Sequence, residues 1–412
     1  MTTAALDLSD ATLWRNGFPD KLFTGLRRGN PIFRHERTPG VARMGVRRDF
    51  WITTKHRHAL RIHRDADSFT AADGPLIQPA GTFSSYPTII NMDEPELNKR
   101  RKLISRAFTP RAIGKLEDGI RARAARMIDQ LLDRGGGDWI ADIADALPMT
   151  VIGDIIGMPE EDRPRIFGVF DRILTARSPS ARLTEQEELD LYGTIFGYAL
   201  ELTAEKRRNP ADDIWSTLAS AEITGDDGEQ FRLPANELEI FFFVLAFAGS
   251  DTTKNALAAG LQAFVANPEQ IERYRDEEAV RPAAVEEVLR WTTPVAYWTR
   301  TAKVDLEMDG QHIPEGDRVV AMLRSANRDE EIFDNPFVFD IGRSPNHHVT
   351  FGGGGPHMCL GANLARAELR AVFDELLLRC DGITVGPEKV AHPNLVTNMS
   401  IYDEMPISLT AR

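Results

Sequence analysis

The chain has 412 residues, 42% hydrophobic and 27% charged, the composition of a globular protein with enough length for a large core. Its net charge of −13 argues against general nucleic-acid binding, and its longest apolar run, 240–249, is about half the ~20 residues that cross a bilayer. The opening MTTAALDLSDATLWRNGF shows no basic region followed by an apolar core, and two cysteines make no disulfide framework. Neither a signal peptide nor a membrane anchor is therefore expected, and a cytoplasmic location is.

In chain order, residues 41–54, VARMGVRRDFWITT, bunch β-formers and predict strand ahead of a helix beginning near Lys55. Residues 70–90 carry three prolines and few charges and predict a long loop, of a length usually kept for function. Between Lys99 and Arg126, ten basic residues face two acidic ones, a local balance of +8. Such a run is either a solvated helix face or a dock for an acidic partner. From about 94 to 300 the chain predicts mostly helix, including 110–134, closed by three glycines, and 234–266, closed by Asn267-Pro268.

The second of these is apolar nearly all round from Phe241 to Phe247, hence a core helix, until Ser250, Asp251, Thr252 and Thr253 break in. A buried polar group left unpaired costs about 1–3 kcal/mol, so the break needs a reason. One is that the hydroxyls bond back to carbonyls of the preceding turn, which suffices for Thr253. The other is a proton relay through Asp251 and Thr252, with Gly249 thinning the helix to admit a small ligand. Farther on, Pro282 can start a helix that carries Glu287 and Arg290 on one face. Arg300 follows the apolar PVAYWT and is either a snorkelling surface residue or a buried anion clamp. Residues 301–322, with turn signals at Asp309-Gly310 and 314–317, predict antiparallel ribbons.

The segment FGGGGPHMCLG, 351–361, places Cys359 at the end of a four-glycine loop that opens into a helix. Unpaired N–H groups at a helix start favour a thiolate, and the loop has no lysine, as a phosphate cradle usually would. On the loop alone, a metal-bound thiolate and an inert buried cysteine remain equally open. In the helix, Ala365, Leu369, Val372, Phe373 and Leu376 form an apolar stripe that Cys380 extends as a small hydrophobe. No repeat or interdomain linker is evident, and the expected fold class is mainly α with small edge β-sheets.

Taken in order, AGSDTT, EEVLR, FDIGR and the HMCLG loop resemble the cytochrome P-450 superfamily of haem-thiolate monooxygenases over nearly the whole chain. The resemblance implies that fold as a single large domain over 1–412, holding haem b with Cys359 as axial ligand. It places Arg101, Arg300, His357, Phe351 and Gly361 around the haem, and makes Glu287, Arg290 and Arg343 a brace beneath its loop. Asp251 and Thr252 would deliver protons. Two features depart from the commonest pattern: Leu97 stands where histidine is common, and the loop is one residue longer before Cys359. The longer loop, with SANRDE, GANLAR and PVAYWTRT, resembles the actinobacterial branch acting on sterol side chains and methyl-branched lipids.

Candidate pocket walls are Phe83, Tyr86 and Ile89, then Phe247 and Ala248, then Val295, Ala296 and Tyr297, then Val396 and Thr397. Core packing is the alternative for each, and their mostly apolar character favours a hydrophobic substrate held by shape. The implied activity is hydroxylation by a monomer using O2 and two electrons. A ferredoxin and ferredoxin reductase would supply the electrons, since no flavin or NAD fingerprint occurs in the chain. The terminal carbon of a sterol side chain or methyl-branched lipid is the first expectation, a terpenoid or other secondary metabolite the second. A haem-thiolate binding or sensor protein is the rival from another class; it would need Cys359 but neither Asp251 nor Thr252.

Overall fold

The structure is a computed structural model, and it describes residues 6–78, 88–175, 183–224, 228, 230–233, 235–395 and 397–412. Contacts divide the chain into two compact units, each gathered from separated stretches: Met1–Leu97, Ala259–Cys359 and Val390–Ser400 in one, Asn98–Ala258, Leu360–Lys389 and Ile401–Arg412 in the other. The mainly helical class with small sheets is as the sequence predicts.

The first unit is organised by a five-stranded sheet in the order Ile32–His35, Phe50–Thr53, Arg318–Ala321, Trp298–Ala302 and Phe69–Thr70. Only the pairing of Val320 with Ile52 and its neighbours is parallel. Side chains alternate between faces, so one core takes Phe33, Phe50, Ile52 and Val320, and a second takes Ile32, Trp51, Val319 and Ala321. Two apolar faces explain why these strands read as continuous β-former runs. Of the predicted 41–54 strand only Phe50–Thr53 is extended, because Pro39–Arg43 forms a short helix. There Thr38 caps the Val41 N–H and Pro39 fits the first helical position, which outweighs the β-propensity of Val41. A helix, His56–Arg64, follows as expected. Asp309 (φ 49°) and Gly310 (φ 76°) close the ribbon of Leu306–Met308 with Gln311–Ile313, as a two-residue hairpin turn requires.

The second unit is helical, with a three-stranded sheet ordered Cys380–Val385, Pro406–Ala411 and Gly136–Asp138. The predicted 110–134 helix is broken into Pro110–Gly114 and Glu117–Arg134, and Gly135 (φ 71°) ends it as the glycine run suggests. Gly136 is required by packing as well, since a Cβ there would lie 2.2 Å from the Ile407 carbonyl oxygen. The Ala235–Ala266 helix matches its predicted bounds. Phe243 stacks on Phe170 and on Phe247 at 5.7 Å each, and Phe242 meets Trp215 edge-on, which accounts for apolar residues around the whole circumference. Cys380 is buried as predicted, but as the first residue of a strand: the Ala362–Arg379 helix ends just before it. Among the described residues no helix is long and apolar enough to cross a membrane.

Candidate active site

In the first unit, all four loop glycines have positive φ: 91°, 61°, 93° and 96° for Gly352 to Gly355. Such angles are open to glycine at no cost and strain other residues. Proximity adds a second requirement. A Cβ on Gly355 would lie 2.2 Å from the His63 carbonyl oxygen, and one on Gly353 2.6 Å from Leu60, so the loop sits directly on the His56–Arg64 helix. Arg64 Nε donates to the Gly353 carbonyl (2.8 Å), and the Cys359 N–H donates back to the Phe351 carbonyl (3.0 Å), closing the loop. The result leaves Cys359 exposed and outside any disulfide. Phe351 is half-buried against His348, ring centroids 5.9 Å apart, and Gly361 occupies the position before the Ala362–Arg379 helix.

Glu287, Arg290 and Arg343 are brought together in one cluster. Glu287 and Arg290, both fully buried, form a two-pronged pair: Nε to Oε2 and Nη2 to Oε1, each 2.7 Å. Arg343 Nε donates to the same Oε2 at 3.1 Å. Four further groups complete it that the sequence did not single out. Asn346 Nδ2 and the Asp340 N–H donate to the Glu287 carboxylate (3.1 and 3.0 Å), while Arg290 Nη1 donates to the Asn327 and Pro336 carbonyls, both at 2.9 Å. The carboxylate thus accepts at both oxygens, which is what lets a buried charge persist. The link to the loop is short: Asn327 accepts from the Val349 N–H (2.8 Å), and the Thr350 hydroxyl donates to the Leu289 carbonyl (2.9 Å).

Arg300 is buried rather than snorkelling, 7% exposed, and Nη1 donates to the Thr299 carbonyl (2.9 Å). Burial pushes its pKa down to about 10, partly offset by Asp93. His357 is half-buried. His63, which no sequence pattern singles out, is buried, with Nε2 lacking a hydrogen-bond partner among the described residues. Burial, then the charges of Arg300 and His357, push its pKa down to about 3. Leu97 lies wholly in the core, and Arg101 is half-buried in the Glu96–Ile104 helix.

In the second unit the polar break has a defined geometry. The Thr252 hydroxyl bonds back to the Ala248 carbonyl (2.8 Å). Thr253 does not, correcting the expectation for it: its hydroxyl donates to Glu368 Oε2 (3.3 Å). Glu368 is buried, and burial pushes its pKa up to about 8 despite that bond. Lys254 Nζ, also buried, stands 3.5 Å from Asp251 Oδ1 and 3.0 Å from Asp145 Oδ1. Burial works to lower the Lys254 pKa, but Asp251 and Asp145 outweigh it and raise it; Asp145 itself is raised by burial against the pull of Lys254. Gly249 makes room for a neighbour, since a Cβ there would lie 2.7 Å from Ile152 Cδ1. The sequence expectation is instead that it admits a small ligand.

The candidate pocket walls are placed variously. Phe83, Tyr86 and Val396 lie outside the described residues. Ile89, Phe247 and Thr397 are half-buried and Ala248 is exposed. Val295 is buried, but Ala296 and Tyr297 belong to the core cluster with Phe50 and Val320, and the Tyr297 hydroxyl donates to the Leu395 carbonyl (2.8 Å). Those two take the packing alternative. The basic run is partly neutralised: Arg100 makes a two-pronged pair with Glu237, and Arg123 pairs with Asp154 (2.6 Å).

Residues 42–400 match the family Cytochrome P450. The chain is 36% identical to the steroid C26-monooxygenase of Mycolicibacterium smegmatis, covering 90% of this chain and 86% of that one. It is also 36% identical to the methyl-branched lipid omega-hydroxylase of Mycobacterium tuberculosis, with 90% and 88% covered. A Mycobacterium marinum cytochrome P450 solved in complex with pseudoionone superposes with a TM-score of 0.88 at 34% identity, covering 98% of each chain. The exposed cysteine on its glycine loop, the buried Glu287–Arg290–Arg343 brace and these matches together show that the chain belongs to the cytochrome P450 family and is a monooxygenase.

Proposed function

We propose that the enzyme holds haem b through the Cys359 thiolate and hydroxylates the terminal carbon of a sterol side chain or methyl-branched lipid. The residues fit that cofactor. An exposed sulfur ends a loop stripped of side chains, as a flat ligand needs. Arg300 is a buried cation with no ion pair among the described residues, and its charge and that of His357 both bear on buried His63; propionate groups would supply negative charge there. Thiolate-bound haem supplies dioxygen activation. One oxygen atom enters a C–H bond and the other leaves as water, consuming two electrons and two protons. Asp251 takes up the protons and passes them to Thr252 Oγ1, with Lys254 beside the carboxylate.

The names of two relatives at 36% identity carry the substrate reading. A terpenoid substrate is the second reading, favoured by pseudoionone in the Mycobacterium marinum structure. A ferredoxin, reduced by its reductase, is the proposed electron donor, docking at the basic run where Lys102 and Arg111 are exposed.

The test begins with the reduced carbon monoxide complex, expected to show the red-shifted Soret band of thiolate ligation in the wild type and to lose it in Cys359→Ser. A thiolate spectrum that survives Cys359→Ser removes Cys359 as the ligand. Sterols with intact side chains and methyl-branched fatty acids are then expected to drive the low-spin to high-spin shift and yield terminal alcohols. Turnover of pseudoionone with no response to either lipid class would select the second reading.

A further inference from the structure

The His56–Arg64 helix carries three buried histidines, and they differ in what their ring nitrogens meet. His56 Nε2 donates to the His347 carbonyl (2.7 Å), and His58 Nε2 donates to Asp309 Oδ2 (2.8 Å). His63 Nε2 has no hydrogen-bond partner among the described residues, although the residue is only 6% exposed. A buried polar atom left unpaired costs stability, so a histidine placed this way calls for a partner.

The surroundings say which kind. Leu60, His63 and Arg64 are three and four residues apart and share the helix face that carries the glycine loop. A Cβ on Gly353 would meet Leu60, one on Gly355 would lie 2.2 Å from the His63 carbonyl oxygen, and Arg64 Nε holds the Gly353 carbonyl. His63 thus sits against the loop that ends in Cys359. Burial, then the positive fields of Arg300 and His357, keep its imidazole neutral, and a neutral imidazole carries one N–H to donate. A buried N–H donor within the field of a buried guanidinium is a setting for a carboxylate. Leu97, wholly buried in the same unit, stands where the family commonly has a histidine and offers no donor.

We propose that His63 is a haem-binding residue that takes the place of the histidine absent at position 97: its Nε2–H donates to the propionate that the Arg300 guanidinium attracts. This rests on the haem reading above and deepens it, by naming this chain's own substitute for a contact that Leu97 cannot make. A propionate oxygen at Nε2 selects the tautomer with its proton there and satisfies the buried atom. His63 touches no reacting atom. It holds the edge of the cofactor and, through the close approach of Gly355, ties that edge to the loop bearing Cys359.

The test uses the ferric holoenzyme of His63→Leu, which removes the donor at similar size, and of His63→Gln, which keeps an N–H. Neither readout depends on turnover. The propionate bending band in the resonance Raman spectrum reports hydrogen bonding to the propionates. It is expected to shift in His63→Leu and to return toward the wild-type position in His63→Gln. Transfer of haem to excess apomyoglobin is expected to run about ten- to a hundredfold faster in His63→Leu, the effect of losing one hydrogen bond to a charged group, and far less so in His63→Gln. His56→Leu controls for loosening of the helix: it breaks the His347 contact and is expected to leave the propionate band in place.

A merely structural role for His63 lowers the melting temperature of His63→Leu and leaves the band unmoved, and that result overturns the proposal. A water molecule as the partner of Nε2 gives the same unmoved band and overturns it equally. An equal shift in His56→Leu also overturns it, because the band would then follow the helix and not the donor. Should His63→Leu not fold, His63→Phe carries the same test. A wild type that binds no haem through Cys359 overturns the cofactor reading and this proposal with it, whereas a thiolate-ligated haem with an unmoved band overturns the His63 proposal alone.

Discussion

At the scale of single residues, burial holds Glu368 as a neutral acid at pH 7, with its pKa pushed up to about 8 and Thr253 as its hydrogen-bond partner. A carboxyl whose folded pKa lies above its unfolded value of about 4.3 binds its proton more tightly when folded. Its stabilising contribution is fully present below about pH 4.3 and is lost as pH rises toward 8. Glu368→Gln keeps the shape and removes the titration, so the wild-type melting temperature is expected to fall more steeply than that of the variant between pH 5 and 8. Parallel Tm curves over that window would mean that Glu368 is already ionised in the folded protein. The residue was not legible in GANLARAEL, where it reads as one more charge beside an apolar stripe. Its hydrogen-bond donor is Thr253, 115 positions earlier, and no local pattern records such a pairing. Lys254 is illegible for the same reason, since its partner Asp145 is remote in sequence.

Among the elements, the Arg281–Thr292 helix shows what sequence pattern can and cannot specify. Pro282 and the three-residue spacing of Glu287 and Arg290 are local, so the helix and the pair were legible, though not that the pair is buried. Arg343 entered through resemblance alone, and Asn346 and Asn327 did not enter at all, because loop backbone and amide partners leave no periodic trace. The same holds at Pro39–Arg43, where a cap and a proline override a β-rich composition. The buried pair makes a sharp prediction about the element. Glu287→Gln leaves Arg290 and Arg343 against a neutral amide where the Glu287 and Arg290 side chains are fully buried, and breaking such a pair costs about 3–5 kcal/mol. Urea unfolding should therefore show a midpoint markedly below wild type at unchanged slope. Because Thr350 and Val349 connect the same network to the Cys359 loop, the variant is expected to lose the thiolate spectrum on warming earlier than wild type. A loss of less than 1 kcal/mol would show that the brace carries little of the loop's stability.

Across the whole molecule, charge is the property read most directly from the sequence, and the structure changes its meaning. The chain carries −13 overall and +8 between Lys99 and Arg126. A count of that kind treats every cation as available, yet Arg100 and Arg123 are committed to Glu237 and Asp154. Lys102, Arg111, Lys115 and Arg126 remain on the surface. The basic run is thus smaller than its composition implies but still positive against an acidic background, which is the arrangement that steers an acidic partner to one face. Steering of this kind acts through exposed charges and is screened over a Debye length of about 8 Å at physiological ionic strength. Electron transfer from an acidic ferredoxin should accordingly slow as salt rises from 50 to 500 mM, chiefly through the association step. Lys102→Glu with Arg111→Glu should reproduce the high-salt rate at low salt while leaving the rate of reduction by dithionite unchanged. The second measurement separates docking from any effect on the haem site, because dithionite needs no protein surface. A double variant that accepts electrons from ferredoxin at the wild-type rate at 50 mM salt would move the dock to another face of the molecule.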